Sequence, residues 1–144
     1  MPDADPNVAD EIRERMAVSP FHTWMGMRVL AVREGEVDLA LDAEPHHLNL
    51  QGSVHGGVLA TLADTAAGLA VRSVIEPGSR HVSINLDVQY LRGARGGTVI
   101  ARGRVLRAGR SVAFADAEVA DEEGTVLARA QVTVAVSPAA ANPG

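Results

Sequence analysis

From Gly56 to about Ser73 the chain carries Leu59, Leu62, Ala66, Leu69 and Ala70 at helical spacing, and nearly everything after it reads as strand. This juxtaposition constrains the fold more than any other feature. Strands are expected over 81–91, 98–107, 111–120 and 125–136. In the first, Val82, Ile84, Leu86, Val88 and Tyr90 alternate with Ser83, Asn85, Asp87 and Gln89, the pattern of a half-buried antiparallel strand. Val126, Ala128, Ala130, Val132, Val134 and Val136 repeat it in the last. Gly93 with Gly96-Gly97, Ala108-Gly109 and Glu123-Gly124 mark the turns expected to join these strands as hairpins. One apolar helix and a meander of strands can bury their apolar faces only against each other. The fold class is therefore α+β, an antiparallel sheet wrapped around one long helix. A chain of 144 residues supplies one such core and not two.

Upstream, a short amphipathic helix is expected from Pro6 to about Met16, with Ile12, Met16 and Val18 as its apolar positions and Ser19-Pro20 ending it. A hairpin follows, Met27 to Val32 and Glu36 to Leu41, turning at Glu34-Gly35. Residues 42–54 read as a loop. The organisation is then an N-terminal segment, 1–19, a single domain, 20–136, and a small-residue tail, 137–144, expected to be disordered.

The composition removes several functions. There is no run of eighteen apolar residues and no secretory pattern in the acidic opening, so a cytoplasmic protein without membrane association is expected. Absence of cysteine excludes disulfides and a thiolate nucleophile. Five scattered histidines, His22, His46, His47, His55 and His81, lack the i, i+4 spacing of a metal site, so no metal and no cofactor are expected. His46 and His47 read as loop residues, His22 and His81 as surface or satisfied ones. A net charge of −5 argues against nucleic acid. The basic residues are nevertheless uneven: Arg80, Arg92, Arg95, Arg102, Arg104, Arg107 and Arg110 cluster where Asp87 is the only acid. Such a belt suits a small polyanion, and equally a solvated strand face.

Chemistry concentrates between Asn49 and Asp64. Gly56-Gly57 at a helix start lets a ligand approach first-turn N–H groups that have no intrahelical partner, where the helix dipole favours developing negative charge. That is a candidate oxyanion site. Asp64 stands two turns later among small and apolar neighbours; an unpaired carboxylate on a largely buried helix costs roughly several kcal/mol and is rarely kept for packing. A rise of about 12 Å separates Gly56 from Asp64 along a helix. One helix cannot bring both to the same carbonyl, so if both act, the site is shared between chains. Gly52-Ser53-Val54-His55-Gly56 is not the G-x-S-x-G of a nucleophile elbow.

The run from Asn49 through His55-Gly56-Gly57 to Asp64-Thr65-Ala66, with the later Val82-Ser83-Ile84-Asn85-Leu86-Asp87-Val88-Gln89-Tyr90-Leu91-Arg92, resembles the PaaI-like branch of the hot-dog thioesterases over about residues 20–136. The resemblance implies a hot-dog fold, homodimers with a continuous sheet that often pair into tetramers, and metal-free hydrolysis of acyl-CoA. Carried over, Asp64 is the general base or nucleophile, and the Gly56 N–H polarises the thioester oxygen with help from His55. Asn49 holds the attacking water or the acyl carbonyl, and Ser83 places a hydroxyl near the acid. Gly57 and Thr65 are expected beside bound substrate, and Arg92 and Arg95 near the CoA phosphates. Thr65 fits helix packing better than a nucleophile. The acyl group is left open between aryl groups, such as phenylacetyl or hydroxybenzoyl, and medium chains. Two rival functions share the fold: hydration or dehydration of acyl thioesters, and a non-catalytic acyl-CoA-binding or regulatory module.

Overall fold

The computed structural model describes residues 2–139. Asp5 caps α1 (Pro6–Val18) by accepting the Asn7 N–H, and Pro6 takes a first-turn place where a missing N–H costs nothing. Ile12 and Met16 are buried; Val18, expected on the same face, is 79% exposed at the helix end. Ser19-Pro20 ends α1 but also starts a helix that the sequence pattern does not reveal, α2 (Pro20–Met25), capped by the Ser19 side chain. The hairpin follows as β1 (Arg28–Arg33) and β2 (Glu36–Asp42). Within the expected loop lies one short 3-10 turn, Pro45–His47.

The long helix is α3 (Gly56–Arg72), and Leu59, Leu62, Ala66, Leu69 and Ala70 are all buried along it. The strands after it are β3 (Arg80–Tyr90), β4 (Thr98–Ala108), β5 (Val112–Asp121) and β6 (Val126–Ser137). All pairings are antiparallel, in the order β1-β2-β4-β5-β6-β3, and the sheet wraps around α3 in the hot-dog arrangement. Gly103 in β4 marks the closest approach of sheet to helix: a Cβ there would overlap the Ala66 carbonyl.

Two expectations need correction. First, the last four strands are not a simple meander. Both edges of β4 are taken, by β2 and β5, so β3 pairs with β6 at the end of the sheet. Residues 91–97 form a crossover, not a hairpin: the Leu91 and Arg92 N–H groups donate to the Leu127 carbonyl, and Val54 N–H donates to Ala94. Second, β3 does not keep one face inward. Its register passes from Ser83↔Val134 to Asn85↔Thr133, leaving Ile84 as an extra, bulged residue. The faces therefore swap. Ser83 turns toward α3 before the bulge, Val88 and Tyr90 after it, and Val82 and Ile84 are left 62% and 61% exposed.

Ser137, expected in the tail, closes β6; residues 140–144 of that tail lie outside the described residues. Among the described residues no helix is long and apolar enough to cross a membrane.

Candidate active site

The segment leading into α3 is held on both sides before the helix begins. Asn49 Oδ1 accepts the Gln51 and Ser53 N–H groups at 2.9 and 3.0 Å, closing a tight turn. That leaves the Asn49 amide nitrogen as its free donor. Val54 N–H then bonds the 91–97 crossover, and His55 N–H donates to the His47 carbonyl at 2.8 Å. His47, read from sequence as a loop residue, is instead a buried post. Its Nδ1 accepts the Glu44 N–H at 2.9 Å, which puts the proton on Nε2, 2.8 Å from the Met25 carbonyl.

His55 is the N-cap of α3. Its Nδ1 accepts the Gly57 N–H at 2.8 Å, which caps the helix and consumes the Gly57 donor. The Gly56 N–H finds no acceptor among the described residues. A single unsatisfied donor at the positive end of a seventeen-residue helix is what an oxyanion requires.

Contrary to the reading from its sequence context, Asp64 is neither unpaired nor deeply buried. It is half-buried, and Ser83 Oγ donates to its Oδ1 at 2.7 Å. The bulge at Ile84 is what aims Ser83 inward while Val88 and Tyr90 also face the helix. One lone pair is thus committed to orientation, and the second oxygen is free to take a proton or attack carbon. Gly56 and Asp64 stand about 12 Å apart along α3, beyond the reach of one carbonyl within a single chain. Beside Ser83 on the inward side, half-buried His81 lies over Gly68. Burial first, then the charges of Arg72 and Arg15, hold its imidazole below the ordinary histidine value, against the opposite pull of Asp64 and Glu11.

The remaining expected residues separate. Thr65 is half-buried and makes no side-chain hydrogen bond among the described residues. Arg92 and Arg95 are exposed on the 91–97 crossover, which packs against Ser53 and Val54 just ahead of the helix start. The arginine belt is not one surface. Arg102 and Arg104 lie on the outer face of the sheet, paired with Asp38 at 3.1 Å and Asp116 at 3.9 Å. Arg33 with Glu36 and Asp38, and Arg129 with Glu118, extend this lattice. A groove of about 720 Å³ on that face is lined by these opposed charges and is a solvated surface rather than a polyanion site. Sequence reasoning missed one contact at the helix start: the Tyr90 hydroxyl donates to the Gly56 carbonyl at 2.9 Å. Its only signal was an aromatic at the end of an alternating strand, indistinguishable from core. No three His, Asp or Glu side chains among the described residues converge as a metal site.

Comparison with known proteins bears on the fold and the family. The sequence profile of the thioesterase superfamily matches residues 51–128, the stretch from the loop before α3 into β6. A Halobacterium salinarum protein named as a candidate esterase is 41% identical over 120 residues, covering 74% of this chain and 77% of its own. The Escherichia coli medium/long-chain acyl-CoA thioesterase YigI is 34% identical over 132 residues, covering 81% of this chain and 85% of its own. Among solved structures, zebrafish thioesterase superfamily member 2 superposes with a TM-score of 0.79 at 30% identity, covering 91% of this chain and 97% of its own.

Proposed function

The chain belongs to the thioesterase superfamily, and from that premise we propose that it hydrolyses acyl-CoA thioesters to a free acid and coenzyme A in a site shared by two copies of the chain. The observation that carries this reading is the half-exposed Asp64 carboxylate, oriented by Ser83 on the same helix whose start presents the Gly56 N–H. In the reaction, the Gly56 N–H of one protomer donates to the thioester oxygen, and the Asn49 amide holds the carbonyl or the water. Asp64 of the partner subunit takes a proton from that water as its oxygen bonds the carbonyl carbon. The tetrahedral intermediate then collapses, the C–S bond breaks, and the thiolate leaves with the proton. In the nucleophilic variant, Asp64 attacks the carbonyl carbon, the C–S bond breaks as the coenzyme A thiolate leaves, and water then cleaves the resulting anhydride to return the carboxylate and release the acid.

The shared site requires a homodimer. β3 supports one: it is one of the two edge strands, and Val82 and Ile84 on it are exposed apolar residues that a second copy would cover. Arg92 and Arg95, exposed on the crossover beside the helix start, are our candidates to meet the CoA phosphates. The acyl group is of the aryl or medium-chain class.

A panel of acyl-CoAs incubated with the protein and a free-thiol reagent tests the reading. Thiol release that scales with enzyme supports it. A change in ultraviolet absorbance without thiol would replace it with hydration chemistry, and binding with neither would replace it with a sensor.

A further inference from the structure

The first peptide group of α3 is gripped at both ends. Its N–H, from Gly57, donates to His55 Nδ1 at 2.8 Å, and its carbonyl, from Gly56, accepts the Tyr90 hydroxyl at 2.9 Å. The two grips come from different elements, the helix cap and the end of β3. The Tyr90 ring also lies against Gly56 so closely that a Cβ there would sit 3.1 Å from Cζ and 3.2 Å from Cε1. Gly56 does not have a positive φ, so backbone conformation does not call for a glycine there. What calls for it is the ring.

A glycine-glycine start leaves soft torsions where an oxyanion donor needs a fixed direction. Such a donor is valuable in proportion to its pre-organisation, because reorienting it during the reaction spends the stabilisation it offers. The two planes that meet at the Gly56 Cα share its torsions, so holding the Gly56–Gly57 peptide constrains where the preceding Gly56 N–H points. We propose that Tyr90 is a positioning residue of the hydrolytic site: it locks the first peptide of α3 against His55 and so aims the Gly56 N–H, while its ring walls one side of the space where the acyl carbonyl sits. This rests on the reading of Gly56 as the oxyanion donor. It also gives β3 two roles, since Ser83 and Tyr90 reach α3 from opposite sides of the same bulge.

Tyr90→Phe removes the hydroxyl and keeps the ring. Tyr90 is 54% exposed, so the melting temperature should stay near wild type. The expected result is a fall in kcat of about 10-fold with KM held within about 2-fold, the signature of an interaction realised in the transition state. A purely structural role would move the melting temperature and leave kcat alone. Hydrogen exchange of the Gly57 amide gives a second readout that needs no turnover: it should quicken in Tyr90→Phe. Unchanged kcat, or unchanged exchange at Gly57, overturns the proposal. Failure of the wild-type protein to hydrolyse any thioester would instead strike the functional reading, and the exchange measurement would still decide whether the clamp exists.

Discussion

Substitution separates the roles proposed for Asp64 and Ser83. Asp64→Asn removes the proton acceptor and should lower kcat by at least about 100-fold, whereas Ser83→Ala leaves the carboxylate but frees its orientation, for a loss nearer about 10-fold. Neither should stabilise the fold. The gain expected from neutralising a buried, unpaired acid disappears once Asp64 is half-exposed and hydrogen-bonded. Gly103 belongs to packing alone: Gly103→Ala drives a methyl into the Ala66 carbonyl and should cost about 1–3 kcal/mol, read as a shifted denaturant midpoint. At this scale the candidate residues legible in the sequence are those whose signal is local. The Gly56-Gly57 helix start and the isolated Asp64 stand out from local chemistry, whereas Asn49 and His55 enter through resemblance. Ser83 was reachable only through resemblance. Tyr90 and His47 were not reachable at all, because each acts through a backbone group that is distant in sequence or set by a turn.

Among elements, the limits of the helices and strands were legible to within a residue or two, since apolar periodicity is set by burial and caps announce themselves. Neighbour relations were not. The alternation of residues 81–91 is the same whether β3 pairs with β4 or with β6, and a bulge leaves no mark on a pattern that reads by parity. α2 escaped because six residues are too few to show a period. The placement of β3 over the end of α3 has a measurable consequence through His81. A histidine whose folded pKa lies below its unfolded value binds its proton more readily when unfolded, so its contribution to stability is complete above the unfolded pKa. That contribution is lost as pH falls from there through the folded pKa. His22, shifted the same way by burial, adds to the slope. Thermal unfolding followed downward from pH 7 should show a falling midpoint, and His81→Gln should flatten that fall. An unchanged slope would mean that His81 is solvated in solution.

The assembled molecule makes the strongest demand. If Gly56 and Asp64 serve one carbonyl from two chains, Asp64→Ala and a separately inactivated Gly56 variant should each be inert, yet regain activity when their subunits exchange. Random re-pairing leaves about half the dimers mixed, each with one intact composite site, so recovery should approach roughly a quarter of wild type. Exchange verified with labelled subunits and no recovery would retire the shared site. The sheet order also dictates when such a site can exist during synthesis. β3 precedes β4 and β5 in the chain, but its one sheet partner among the described residues, β6, follows them both, so residues 80–90 have no strand to pair with until residues 128–137 are made. Ser83 and Tyr90 are therefore fixed over α3 only once β6 is in place. The residues proposed to bind the oxyanion are therefore made well before the strand that carries Ser83 and Tyr90 has its sheet partner.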